Sequence, residues 1–224
     1  MRRYSLRALL VAACVASPVL PTIAAAQGPA APSAAARTAM AAADRGRIQG
    51  SDSAKLWIIV MSDFQCPFCK RWHDETDAVI RRDYVNTGKA KLAFINFPLR
   101  SHKNAVPTAE AAMCAAAQGK FWPYHDALFA TQERWSGMAD PSPLLDELAA
   151  KTAGLDVAAH RTCRSERQMK LLVESDLQRG VSAGVSGTPA FVIGTQSLGG
   201  ALPAAEFVRV IEQELQKLGA GPRK

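Results

Sequence analysis

The chain has 224 residues, 48% of them apolar, and a formal charge of +7. That length allows one domain with a substantial core. Basic residues are dispersed, and Arg81-Arg82 is the longest run after the N-terminal stretch, so there is no nucleic-acid footprint.

Arg2, Arg3 and Arg7 precede an apolar stretch from Ala8 to Leu20, and Ala24 and Ala26 form an A-x-A pattern. This is the layout of a secretory signal peptide over residues 1–26, and it implies export to an oxidising compartment. A retained membrane anchor is the alternative. Pro18 and Pro21 interrupt the run, which is shorter than the roughly 20 apolar residues a span requires. Cleavage after Ala26 leaves about 198 residues and, without the three arginines, a charge of about +4. Cys14 leaves with the peptide, and Cys66, Cys69, Cys114 and Cys163 remain. An even count in an exported chain predicts pairing. Of the three connectivities, Cys66 with Cys69 and Cys114 with Cys163 is favoured, because the first two are too close to be independent.

Residues 27–47 include GPAAPSAAARTAMAAA, poor in large apolar groups; a short alanine-rich helix is the one order open to them, and they are expected to be a flexible tether. The domain is expected to run from residue 48 to 224. KLWIIVM at 55–61 has the continuous apolar character of a buried strand. Pro67 suits the first turn of a helix from Cys66 to Tyr84, which Asn86-Thr87-Gly88 stops. AKLAFINF at 90–97 is a second strand, giving a βαβ unit. Residues 103–180 read as a helical insertion, with helices at 105–118, 121–131, 143–152 and one long helix at 156–180. Ala190–Ile193 is a strand, Gly194-Thr195-Gln196 a turn and 197–200 a short partner. The tail repeats apolar residues at 207, 208, 211, 215 and 218, as an amphipathic helix does. The order β-α-β, helical block, β-β-α predicts an α/β fold with a small sheet split by an insertion.

A C-x-x-C pair where a strand becomes a helix has a specific consequence. The helix N-terminus favours an anion at Cys66, lowering its pKa and making it both nucleophile and leaving group. Cys69, one turn on, is within disulfide reach and can resolve a mixed disulfide on Cys66. An inert bridge would close too short a loop to stabilise much. A zinc or copper module is the other alternative, with His73 completing C-x2-C-x3-H, but structural zinc takes four ligands and no second C-x-x-C exists. Downstream, Gly187-Thr188-Pro189-Ala190-Phe191 puts a proline just before a strand, where its missing N–H is tolerated and where a cis bond is possible.

The leader, SDFQCPFC after a strand, the helical insertion, QGKFWPYHDALF at 118–129 and GVSGTPAF before a late strand together resemble the DsbA-like thiol:disulfide oxidoreductases of the thioredoxin superfamily. The likeness covers about residues 50–218. It implies a thioredoxin-like fold and a periplasmic enzyme that forms or exchanges disulfides in exported proteins. It implies that Cys66 attacks, Cys69 resolves, Pro67 and Phe68 shape the motif, and Thr188-Pro189 is a cis-proline loop that receives an extended substrate. It makes Cys114–Cys163 a structural disulfide between two insertion helices, with two buried free thiols as the alternative. It implies no cofactor or metal, and a DsbB-like membrane protein as reoxidant. An isomerase or reductase of the same fold is the nearest rival.

Two positions depart from the family pattern. Phe68 stands where relatives often carry histidine, and Val60 where many carry a buried acid six residues before the first cysteine. Elsewhere His73 reads as solvated, His125 as structural, and Phe121, Trp122, Tyr124 and Phe129 as core. Phe64 and Phe68 are expected to form a partly exposed apolar rim.

Overall fold

The structure, a computed structural model, describes residues 33–219; the expected signal peptide lies outside them. A five-stranded sheet has the order β1-β3-β2-β4-β5, formed by β1 (Ile48–Gln49), β2 (Leu56–Ser62), β3 (Ala90–Asn96), β4 (Ala190–Ile193) and β5 (Gln196–Gly199). β2 and β3 are parallel, and the other pairs are antiparallel. Leu56, Ile58 and Val60 of the central strand are buried on one face, while on the other Trp57 is exposed, Ile59 half-buried and only Met61 buried, so the strand is fully covered on one face and on the other only towards its end. Val60 lies opposite both Phe94 and Phe191, and Met61 opposite Ala190. This register brings the end of β2 and the start of β4 to one edge.

The β2–β3 crossover is one unbroken helix. α2 (Pro67–Trp72) passes through a π turn (His73–Asp77), α3 (Ala78–Ile80) and a second π turn (Arg81–Val85). The wider turn is visible in the Asn86 N–H, which donates to Arg81 O at 2.8 Å, five residues back. Trp72 of α2 packs against Phe191 at 4.9 Å, and Phe191 against Phe207 of the last helix at 4.7 Å. These rings hold the crossover helix to the sheet.

Between β3 and β4 come α4 (Ala105–Ala116), α5 (Phe121–Ala130), α6 (Gln132–Trp135), α7 (Ser142–Lys151), α8 (Val157–Ser165) and α9 (Lys170–Ser182); α10 (Ala204–Gly219) follows β5. This is the β-α-β, helical block, β-β-α order expected, with a short β1 and α6 added. Cys114 of α4 and Cys163 of α8 form a disulfide with Cα atoms 5.9 Å apart.

Two expectations are corrected. The long helix at 156–180 is two helices, because Arg167 adopts a left-handed φ of 51° and Gln168 N–H caps back onto Cys163 O at 3.0 Å. The tether is also wrong over its described part: Ala34–Gly46 is helix α1, N-capped by the Ser33 side chain, which accepts from Ala36 N–H at 3.1 Å. Its small residues allow close approach to α4. A Cβ on Gly46 would lie 2.4 Å from Ala116 O, so the backbones touch there. The chain then buries Arg47, whose guanidinium pairs with Asp44 and the fully buried Asp176. Asp176 also accepts from Asn96 Nδ2 at 2.8 Å, so the charge is paired and hydrogen-bonded. Alanine buries little apolar surface per residue, but its size is what lets two helices meet.

The Cys114–Cys163 bridge closes 49 residues of sequence separation. Replacing both by alanine is expected to cost about 4 kcal/mol of stability, measured by urea unfolding under non-reducing conditions.

Candidate active site

β2 ends at Ser62, and Asp63–Gln65 turn the chain into α2. Cys66 is the N-cap residue, with an extended φ, ψ of −72°, 124°, and Pro67 follows inside the first turn. Cys66 O accepts the helix's Lys70 N–H at 3.1 Å. Cys66 and Cys69 are free thiols, Cys66 keeping 3% of its surface and Cys69 none. The Thr188–Pro189 bond is cis, and the Cys66 thiol donates to Thr188 O at 3.5 Å. Cys66, Pro67, Cys69, Thr188 and Pro189 therefore meet at the sheet edge set by the β2–β4 register. Phe68 points outward and is 54% exposed, with the Arg71 guanidinium 5.3 Å above its ring. Cys114 and Cys163 belong to the insertion.

The two thiols are electrostatically opposite. The hydrogen bond from Cys69 lowers the Cys66 pKa from 9.0 to about 6, against burial and with help from the Thr188 side chain and the N–H groups of Cys69 and Phe68. Burial pushes Cys69 well above its usual range, and the hydrogen bond to Cys66 and its charge push further. Asp63 N–H and the Ser62 hydroxyl oppose that rise. A charged sulfur beside a protonated one suits a thiol that attacks and leaves readily.

Several supporting residues were not singled out from the sequence. Gln132 of α6 donates through Nε2 to Phe64 O at 2.6 Å and Cys66 O at 3.0 Å. Gln65 Oε1 accepts Asn104 N–H at 2.7 Å, and Gln65 Nε2 donates to Ser136 O at 2.9 Å. The buried Asp63 carboxylate accepts from Gln65 N–H at 2.8 Å, Leu99 N–H at 2.9 Å and His102 Nδ1 at 2.7 Å. Asp63 and Gln65 lie inside SDFQC and were visible as polar residues entering a helix. Gln132 and His102 are distant in sequence and carry no local signal.

Two further expectations are corrected. Phe64 is 1% exposed, stacked on Phe94 at 5.0 Å and near Phe129 at 5.1 Å, so the rim is Phe68 without it. His73 is not solvated: it stacks on Phe129 at 5.0 Å and its Nε2 meets Asp126 Oδ1 at 3.3 Å. Burial disfavours its charge, but hydrogen bonds to Asp126 and Asp74 outweigh that and raise its pKa. Among the described residues, the one grouping of three candidate metal ligands is His73, His125 and Asp126, and neither redox-motif cysteine is in it. Arg81 already occupies that cluster, donating to Asp126 Oδ1 at 2.9 Å and lying 3.3 Å from His125 Nδ1. A guanidinium there opposes a second cation.

A helix-start cysteine pair facing a cis-proline loop at one end of this sheet is the site of a thiol:disulfide oxidoreductase. The family model described as thioredoxin matches residues 42–213, and the chain belongs to that family. A probable disulfide bond formation protein D of Bacillus anthracis is 26% identical, over 75% of this chain and 77% of that protein. A Salinispora tropica Na(+)/H(+) antiporter is 30% identical over 67% of this chain, which spans only 22% of the antiporter. Among solved structures, oxidised BdbD from Bacillus subtilis has a TM-score of 0.70 at 23% identity, covering 77% of this chain and 94% of that one. Wolbachia pipientis alpha-DsbA1 has a TM-score of 0.70 at 21% identity, covering 79% and 94%.

Thiolate absorbance of the reduced protein is expected to appear with a midpoint near pH 6, the value set at Cys66. The sign for stability follows. A pKa depressed on folding stabilises the reduced native state at high pH, and that contribution is lost as pH falls from 9.0 through about 6. As pH is lowered from 9 to about 6, the melting temperature of the reduced protein is therefore expected to fall by more than that of its Cys66→Ser variant, checked by thermal scans.

Proposed function

We propose that the protein is an exported protein-disulfide oxidase, with Cys66–Cys69 as its redox couple. A substrate thiolate attacks Cys66 Sγ, the Cys66–Cys69 bond breaks, and the electron pair moves to Cys69, which takes a proton from water. A second substrate thiolate then attacks the first substrate sulfur and expels Cys66 as thiolate. The substrate dithiol becomes a disulfide and the protein becomes a dithiol. A DsbB-like membrane partner that accepts those two electrons would restore the bridge, and no bound cofactor is needed. Exported proteins carrying free thiols are the substrates in this reading, and the leader pattern of residues 1–26 supports a periplasmic location.

The observation that carries the direction is Cys66 at the entrance of α2 beside the fully buried Cys69, an arrangement that holds its pKa down to about 6. An ionised Cys66 is a good leaving group, and its stabilisation favours the reduced protein, which makes the disulfide oxidising. A groove of about 510 Å³ beside Thr188-Pro189, lined in part by Val185, Phe191 and Leu198, suits an extended apolar segment.

Equilibration with glutathione is expected to give a potential between about −180 and −120 mV; a value near about −270 mV would reverse the direction. Cys66→Ser is expected to abolish exchange, and Cys69→Ser to accumulate the mixed disulfide on Cys66. Continued turnover by Cys66→Ser would overturn the couple itself.

A further inference from the structure

Whichever way electrons run, the exchange proposed above must at one moment place negative charge on Cys69. In oxidation Cys69 leaves as a thiolate; in the reverse direction its thiolate attacks Cys66 Sγ, and the substrate sulfur leaves with the electron pair and takes a proton. Yet Cys69 has no exposed surface, and an unpaired charge there carries a large desolvation cost. The position six residues before Cys66, Val60, is 1% exposed and apolar, so it supplies no partner.

Two donors do stand beside the sulfur. Asp63 N–H reaches Cys69 Sγ at 3.5 Å, within range for sulfur. Ser62, the last residue of β2 and 3% exposed, lies on the same face of the strand as Val60 but nearer the cysteines, and its side chain eases charge on Cys69. Asp63 cannot drift, because its carboxylate side chain is fully buried and held by three donors: Gln65 N–H, Leu99 N–H and His102 Nδ1. Of these, His102 is the only side chain, and the bond is the shortest at 2.7 Å.

We infer that Ser62 Oγ and Asp63 N–H form a donor pair for the Cys69 thiolate, and that His102, by anchoring the Asp63 carboxylate, is the residue that positions it. In this reading Ser62 acts on the reacting sulfur directly, as Asp63 N–H does, and His102 acts only through Asp63. This rests on the exchange reading, and the test separates the two.

Reduced full-length protein is mixed with a small peptide disulfide, and the reaction is quenched with acid at intervals for mass analysis. Formation of the mixed disulfide by Cys66 reports the first step, and its disappearance reports the attack by Cys69. Ser62→Ala is expected to slow the second step about tenfold or more, as loss of a hydrogen bond to a charged group does, with the first step changed much less. Ser62→Thr, which keeps the hydroxyl, is expected to recover most of that loss. His102→Ala is expected to slow the second step in the same way, and His102→Asn, whose amide can donate from the same place, to restore it. A loss that appeared equally in both steps, or that the Asn and Thr variants did not recover, would mark a general structural role and overturn the inference. So would second steps at the wild-type rate in both alanine variants. If His102→Ala does not fold, the Ser62 pair decides alone. Absence of any mixed disulfide in the wild-type protein would instead overturn the exchange reading, and the inference with it.

Discussion

The hydrogen bond from the Cys69 thiol to the Cys66 sulfur is the interaction on which the rest depends. A helix N-terminus is worth about 0.3–1 kcal/mol to an exposed anion and up to about 2 kcal/mol to a partly buried one, at most about one and a half pKa units at about 1.4 kcal/mol per unit. It cannot by itself bring a thiol from 9.0 to about 6. The direct donors must supply most of that shift, and the largest is a neighbour that stays protonated because it is buried. The fold therefore has to enclose one cysteine fully while keeping the other at the helix entrance, under the Thr188 carbonyl.

That demand explains what the helical insertion contributes. The turn from β2 into α2 carries buried carbonyls with bonding capacity that strand and helix leave unused, and buried groups of this kind are costly when left unpaired. Gln132 takes two of them, at Phe64 and Cys66. Asn104 then ties Gln65 to the loop after α6 through Trp135 O and Met138 O, at 3.1 and 3.0 Å. The sheet places the cysteines, but side chains from the insertion fix the turn that carries them. The Cys114–Cys163 bridge holds α4 and α8 of the same insertion together. Its effect on the active site runs through this scaffold and not through redox contact.

How much of this was legible follows from range. Strands, the crossover helix and the C-terminal helix came from local periodicity, and C-x-x-C and Thr188-Pro189 from short motifs with a mechanical reason for their place. Helix α1 was missed because hydrophobic weight measures burial per residue, whereas α1 is held by close approach at Gly46 and by the Arg47–Asp176 pair. The break at Arg167 was missed because a left-handed residue that is not glycine leaves no mark in composition. Phe64 was misplaced because a residue two before a reactive cysteine was taken to share its surface; the turn instead points its ring into the Phe94 and Phe129 cluster. Gln132 and His102 lie 66 and 39 residues from the atoms they hold, so only the folded chain relates them.

The two departures from the family pattern then take a physical meaning. Phe68 puts an apolar ring on the surface, and the Arg71 guanidinium lies over it, 5.3 Å from its centroid and one turn further along the helix. Charge near the motif is thus displaced to a solvated side chain, where salt screens it. Val60 lies between Phe94 and Phe191 in the sheet, in the packed core, where an acid would have no partner. Alternate strand residues share a face, so Ser62 projects to the same side as Val60 but one pleat nearer the cysteines. There β2 is leaving the sheet, and polar groups can reach a sulfur without displacing core packing. The polar support for the buried thiol has moved along the strand, from the core to its edge.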